Sequence, residues 1–360
     1  MAITVELVLD ALRTVNDPDL KKDLVSLRMI KDVAVDGANV SFTVELTTPA
    51  CPLREQIEGD CRAAVGAIAG IGDIAIEMTA NVRALTQKGI EQQTLPGVRN
   101  IIAVASGKGG VGKSTVSANL ACALAQTGAK VGLLDADIYG PSIPLIMGVE
   151  DAQVGVDESK ERIIPVERYG VKIISMGFLQ RSTAAVIWRG PMVSKAIQQF
   201  LRDVVWGEID YLVVDLPPGT GDAQLTLAQA IPLTGAVVVM TPQDVAASVA
   251  VKAIAMFRRM DVPILGIVEN MSYFHCPTCN TRHDIFSHGG GHQAADALEC
   301  PFLGEIPLDA QIRAEADEGT PTVVISPDSP QAEAFRAVAA ATAQQVSIAV
   351  RNQATPLPVV

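Results

Sequence analysis

The sequence predicts an α/β protein, a mostly parallel sheet flanked by helices and preceded by a small α+β domain. Three observations predict it. From Ile101 onward, short apolar runs alternate with helix-period segments, the pattern of repeated βαβ units. The first of those runs, 101–105, leads straight into a glycine-rich loop, Gly107-Lys108-Gly109-Gly110-Val111-Gly112-Lys113-Ser114. Ahead of both, residues 1–80 carry a separate α-β-β-α-β pattern, and 360 residues leave room for about two domains.

In the first domain, Val5, Leu7, Val8, Leu12 and Val15 give a helical stripe. Val40, Phe42, Val44 and Leu46 alternate with polar residues, as in a half-buried strand. After the break Thr47-Thr48-Pro49-Ala50-Cys51-Pro52, a helix is expected over 53–68 and a short strand over 74–78. Residues 81–99 are polar and carry Pro-Gly punctuation, so they read as a linker. The main domain is expected over 100–345, with strands at 101–105, 131–134, 171–175, 211–214, 236–240 and 264–268. These runs are apolar on both faces, as strands covered by helices on both sides must be. Residues 346–360 are expected to form a tail.

Composition bounds the partners. Hydrophobic residues make up 49%, enough for a large core, and no apolar run reaches the roughly 18 residues of a membrane span. The net charge of −12 argues against non-specific nucleic-acid binding and against docking on anionic lipid. No basic stretch opens the chain, so no secretory signal is expected. Six cysteines scattered at 51, 61, 122, 276, 279 and 300 fit reduced thiols in a cytoplasm.

The loop at 107–114 has the form of a P-loop. Strand, glycine-rich loop and helix come in the required order, and Val116, Leu120 and Leu124 give that helix an apolar face. Glycine lets the backbone N–H groups of Gly107, Lys108, Gly109, Gly110, Val111 and Gly112 converge on phosphate oxygens without Cβ clashes. The helix start at Lys113, Ser114 and Thr115 adds its partial positive charge. Lys113 is expected to reach the β- and γ-phosphates of ATP, and the Ser114 hydroxyl to ligate Mg²⁺.

Lys108, a second lysine directly after the first glycine, makes this the deviant form of the motif. Here the sequence resembles the deviant Walker A ATPases, the class that includes MinD, ParA, the arsenite and tail-anchored-protein ATPases and the nitrogenase iron protein. The resemblance implies a homodimer with two ATP molecules between its subunits, Lys108 reaching the partner's nucleotide. The alternative reading makes Lys108 one more local phosphate contact.

Polar residues close several strands, where ligands of such sheets sit. Leu134-Asp135-Ala136-Asp137 ends the second strand, and by resemblance Asp137 positions the attacking water while Asp135 orients the loop or the Mg²⁺ shell. Val214-Asp215-Leu216-Pro217-Pro218-Gly219-Thr220-Gly221-Asp222 reads as Walker B plus switch II, with Asp215 holding a water on Mg²⁺. Asn270, after a late strand, offers a donor and an acceptor, and in this class an asparagine here contacts adenine. With Trp188-Arg189-Gly190-Pro191-Met192, these stretches resemble the Mrp/ApbC family of iron–sulfur cluster carrier ATPases. The stretch 17–20 with 47–52 resembles the small domain of iron–sulfur assembly factors. Cys51 there precedes a helix start, where a thiolate is favoured, and it reads either as a thiol-exchange or cluster residue or as a buried hydrophobe.

Cys276-Pro277-Thr278-Cys279 places two thiols about one turn apart. All four histidines, 275, 283, 288 and 292, lie in the same stretch. The residues alone allow zinc held by two cysteines and two histidines, or a redox dithiol. The Mrp/ApbC resemblance implies instead that Cys276 and Cys279 of two subunits bridge a 4Fe–4S cluster. The function it implies is an ATPase that passes that cluster to apo iron–sulfur proteins, with scaffold proteins as donors. The alternatives are a MinD/ParA-like positioning ATPase with structural zinc and a nitrogenase-iron-protein-like reductase. The latter class draws its cluster cysteines from separated loops.

Overall fold

The computed structural model describes residues 3–84, 95, 97–138, 140–157, 162–179 and 190–354. The chain divides into two units, Met1–Arg83 and Ala84–Val360.

In the first unit, α1 (Val5–Leu12) is capped by the Thr4 hydroxyl, which accepts from the Leu7 N–H. Strand β1 (Ile30–Asp36) pairs antiparallel with β2 (Asn39–Leu46), and β2 pairs parallel with β3 (Ile74–Ala80) across α2 (Arg54–Gly66). The alternation read from β2 is realised: Val40, Phe42, Val44 and Leu46 are all buried. They meet Val8, Leu12, Ile57, Cys61 and Val65 in one core. Val5 and Leu7 leave the expected stripe and are exposed. The helix begins at Val5, so the 3.6-residue period turns only Val8 and Leu12 inward.

The second unit is built on an eight-stranded sheet. Its strands are β4 (Val98–Ser106), β5 (Val131–Asp135), β6 (Val166–Arg168), β7 (Val171–Ser175), β8 (Ile209–Asp215), β9 (Gly235–Met240), β10 (Ile264–Asn270) and β11 (Phe302–Ile306). They lie in the order β6-β7-β5-β8-β4-β9-β10-β11. Every pairing is parallel except β6 with β7. The helices between strands include α3 (Lys113–Gln126), α4 (Ile143–Ile146), α5 (Gly190–Asp203), α6 (Asp222–Ala230), α7 (Asp244–Arg259) and α8 (Gly290–Ala297), and α9 (Ala310–Asp317) follows the last strand. Val131, Leu133, Leu134, Leu212, Val213, Val214, Val237, Val238 and Val239 are buried along the central strands. That is the two-sided burial their apolar runs require.

Sequence reading overlooks two strands of the sheet. β6 is short, charged and at an edge, and β11 carries Gly304 and Glu305 inside it, so neither shows an apolar run. The expected tail also needs correction. Beyond the four-residue α10 (Thr322–Ile325), the helix α11 (Pro330–Ala354) packs on α3 and β11 and buries Val346 and Val350, well past the boundary at 345. Pro191 falls in the first turn of α5, while Trp188 and Arg189 lie outside the described residues, as do 85–94 and 96 of the expected linker. Among the described residues no helix is long and apolar enough to cross a membrane.

Candidate functional site: a nucleotide cleft joined to a cysteine ribbon

A cleft of 530 Å³ opens at the carboxyl ends of the central strands, where a doubly wound sheet binds ligands. Ser106 and Gly109, Gly110, Gly112, Lys113, Ser114 and Thr115 of the loop line it, together with Asp137, Pro218 and Asn270. Gly110 and Gly112 have φ of 81° and 78°, the left-handed region that glycine takes freely. Gly112 also has no space for a side chain: a Cβ there would stand 2.3 Å from Asn270 Nδ2. Gly107 is squeezed in the same way by Val249, whose backbone and side chain a Cβ would meet at 2.6 Å. Val111 is buried, and its carbonyl accepts from the Asn270 amide.

The predicted Mg²⁺ and phosphate ligands are brought together. Ser114 Oγ donates to Asp215 Oδ2 at 2.6 Å, and the Lys113 ammonium rests on the same carboxylate at 2.7 Å. Lys113 also lies 3.8 Å from Asp137 Oδ2. A hydroxyl, a carboxylate and a lysine gathered at the start of α3 are the donor set a Mg²⁺–nucleotide needs, so the residues present fit that group. Ser117, one turn on from Ser114, donates to Asp215 Oδ1 at 2.6 Å. Sequence reading passed over Ser117, although its i+3 spacing from Ser114 puts both hydroxyls on one helix face.

Asp135 is fully buried and binds the loop after β5 rather than lining the cleft. Its carboxylate accepts from the Asp137 N–H at 3.1 Å, the Ile143 N–H at 3.3 Å and the Ser175 hydroxyl at 2.8 Å. The loop carrying Asp137 is thereby closed onto one side chain. Burial, with the Asp215 charge beside it, raises the Asp135 pKa to about 7. Ser175 is a second residue that sequence reading missed, a polar residue ending an otherwise apolar strand. Switch II is tied to the sheet by the Gly219 N–H donating to the Ser106 carbonyl at 2.9 Å.

Lys108 stands apart from the other loop residues. Its side chain is exposed and outside the cleft, and its carbonyl accepts from the Ser106 hydroxyl at 3.0 Å. On the far side, Asn270 Nδ2 donates to the Val111 carbonyl at 2.8 Å. That leaves Oδ1 as the acceptor on offer, which suits the exocyclic amine of adenine. Met271, Pro307, Leu308 and Asp309 complete this wall.

The cysteine pair sits on a ribbon that leaves the same wall. Phe274–His275 pairs antiparallel with Arg282–His283, and the turn between them carries Cys276 and Cys279. The turn is closed by the Cys276 N–H to the Thr281 carbonyl at 3.0 Å and the Asn280 N–H to the Cys276 carbonyl at 2.8 Å. Cys276 is half-buried and Cys279 exposed. The Thr281 hydroxyl, 3.3 Å from Cys279 Sγ, lowers the Cys279 pKa, helped by the Thr281 N–H and by Cys276. Arg282 braces the ribbon, stacked 4.2 Å over the Tyr273 ring and paired with Asp284 at 3.1 Å and Glu305 at 3.2 Å. His288 Nδ1 lies 3.0 Å from the same guanidinium. Among the described residues, no three His, Cys, Asp or Glu side chains are grouped to hold a metal.

Of the other cysteines, Cys61 and Cys122 are buried packing residues, while Cys51 and Cys300 are half-buried. Burial pushes Cys61 and Cys122 up to about 12. Cys300 is half-buried against the cluster of Ala294, Ala295 and Phe302, and burial raises its pKa too. Cys51 corrects the expectation of a favoured thiolate. Burial raises its pKa, Asp19 and Asp17 add to the rise, and the Leu53 N–H at the helix start only partly offsets them.

A parallel sheet with this loop, two acids at adjacent strand ends and an amide at the base wall defines a P-loop NTPase of the deviant, two-lysine class. Comparison with known proteins narrows the class. Residues 97–343 match the model of the NUBPL iron-transfer P-loop NTPase family, and residues 6–78 match that of iron–sulfur cluster assembly proteins. The iron–sulfur cluster carrier protein of Deinococcus radiodurans is 52% identical over 95% of this chain and 95% of its own. The chain belongs to the NUBPL iron-transfer P-loop NTPase family. Among solved structures, a nucleotide-binding protein of Archaeoglobus fulgidus in complex with ADP is 42% identical, with a TM-score of 0.58, over 68% of this chain and 93% of that one. The cell-division ATPase MinD of Pyrococcus furiosus, 27% identical with a TM-score of 0.51 over 67% and 96%, is a more distant relative by fold. The positioning-ATPase alternative therefore gives way to the iron-transfer reading.

Proposed function

We propose that two copies of this chain hold one 4Fe–4S cluster between their Cys276 and Cys279 pairs and, as ATP is bound and hydrolysed, pass it to apo iron–sulfur proteins. The observation that carries this reading is the cysteine ribbon itself, exposed at its tip and rooted in the wall of the nucleotide cleft. Two thiolates per chain, with no third or fourth ligand grouped beside them among the described residues, fit a cluster completed by a second copy. The same point argues against zinc held within one chain, which needs four ligands.

The chain's own residues carry the nucleotide chemistry. The amides of Gly109, Gly110 and Gly112 take the phosphate oxygens, and Lys113 moves from Asp215 to the β- and γ-phosphates. Ser114, with Asp215 holding a water on the ion, would bind Mg²⁺, which would neutralise the charge of those phosphates. Asp137, on the loop that Asp135 closes, orients the attacking water. Lys108, exposed and outside its own cleft, suits a reach into the partner's nucleotide. The scattered, unpaired cysteines fit a reducing cytoplasm, with scaffold proteins supplying the cluster.

Anaerobic reconstitution with iron and sulfide tests the reading. A brown dimer with about four irons per two chains, lost in Cys276→Ala/Cys279→Ala, is the expected outcome. One tightly held zinc per chain and no stable chromophore overturns it.

A further inference from the structure

The ribbon that carries Cys276 and Cys279 is fastened at both ends to one buried carboxylate, Glu269. This side chain is fully buried on β10, next to Asn270. At the ribbon's entry, the Ser272 hydroxyl donates to Glu269 Oε1 at 2.6 Å. At its exit, the Gly291 N–H in the first turn of α8 donates to Glu269 Oε2. The fit at the exit is close: a Cβ on Gly291 would lie 2.8 Å from Glu269 Oε2, and one on Gly290 would lie 2.4 Å from the Pro242 carbonyl. Residues 273–290 thus leave and return through a single point.

That point is also where the base wall is made. Asn270 reaches the Val111 carbonyl of the P-loop, and Met271 lines the cleft in a left-handed conformation. The Ser272 N–H donates to the Ile306 carbonyl at 2.9 Å, and the Leu308 N–H to the Tyr273 carbonyl at 2.7 Å. Leu308 lines the cleft as well. Both sides of the base wall are therefore hydrogen-bonded to the ribbon's entry, and Glu269 ties that entry to the exit. A buried carboxylate is costly unless its acceptors are filled, and here each oxygen has a donor from a different end of the ribbon.

We propose that Glu269 is a positioning residue that makes the cysteine ribbon and the base wall one mechanical unit, so that nucleotide in the cleft sets the freedom of Cys276 and Cys279. The route runs along the base side of the cleft, through Asn270, Met271 and Ser272, and is separate from the γ-phosphate side. It rests on the reading of Cys276 and Cys279 as the cargo site, but its test needs no cluster.

The experiment is alkylation of the full-length, reduced, cluster-free chain by iodoacetamide, followed residue by residue by mass spectrometry, with and without Mg-ADP. In the wild type, Mg-ADP slows alkylation of Cys276 and Cys279 by about fivefold or more, the lower end of ordinary allosteric couplings. In Glu269→Gln, which loses one acceptor, ADP still binds and the slowing at both cysteines disappears. Ser272→Ala removes only the entry bond, shows a reduced effect, and carries the test alone if Glu269→Gln fails to fold. A merely structural role would instead speed alkylation of Cys300 and Cys276 alike and leave the ADP-dependent ratio unchanged, which overturns the proposal. So does a wild type whose two cysteines react at the same rate with and without Mg-ADP. A protein that shows the ADP effect but takes up no cluster sustains the coupling and refutes the carrier reading.

Discussion

Burial holds the Cys61 and Cys122 thiols near 12, whereas Cys279 is exposed with the Thr281 hydroxyl 3.3 Å from its sulfur. In the nucleotide-free, cluster-free protein, Cys279 is therefore expected to alkylate first and Cys61 and Cys122 only on unfolding; peptide mapping against time checks the order. Asp135 gives a pH dependence. Its pKa rises from 3.8 to about 7 on folding, so between those values the folded chain holds a proton that the unfolded chain releases. This group's contribution is complete at low pH and is lost as pH rises through about 7. Melting curves of the nucleotide-free protein from about pH 5.5 to about pH 8 are expected to fall more steeply for wild type than for Asp135→Asn. Asn270→Ala removes an amide that lines the cleft beside Val111 and is expected to weaken ADP binding by about three- to tenfold, measured by calorimetry. These residues differ in how far the sequence reveals them. Lys113, Ser114 and Asp215 are legible because their chemistry fixes their spacing. Ser175 and Glu269 are not, since a serine or glutamate ending a strand has many uses and only its partner tells which.

Among the elements, the P-loop is legible from its glycines, but the reason for each glycine is not. Gly110 and Gly112 need a left-handed backbone, and Gly112 also has no room beside Asn270, a residue distant in sequence. Gly112→Ala is expected to weaken ADP binding by about tenfold or more, because left-handed strain alone costs roughly 1–3 kcal/mol and the side chain would also displace Asn270. Titration with ADP checks this. The ribbon was legible as two cysteines one turn apart. Its brace through Arg282 to Glu305 depends on β11, which the sequence hides behind a glycine and a glutamate. The last helix shows the same limit. Its small residues carry a weak apolar signal, and its packing on α3 and the sheet accompanies the burial of Val346 and Val350.

For the whole molecule, each unit has its own core. A chain beginning at Leu95 is expected to bind ADP within about threefold of the full protein, since the described residues lining the cleft belong to the second unit. Lys108→Ala tests the proposed homodimer. ADP binding by one chain should be little changed, while ATP hydrolysis should fall by about a hundredfold or more if the lysine completes a partner's site, as removed trans-acting cations do. Steady-state rates beside ADP affinities make that comparison.

By itself the sequence determined the fold class, the phosphate loop, the two strand-end acids and the cysteine pair. Those features are local: strand alternation, glycine spacing and a turn's reach are written in neighbouring residues. Only the tertiary structure decided that Asp135 closes a loop instead of lining the cleft, that Cys51 is held as a thiol, and that the cysteine ribbon hangs from Glu269. Those outcomes depend on burial and on hydrogen-bond partners brought together by packing. A sequence pattern of short range does not encode them.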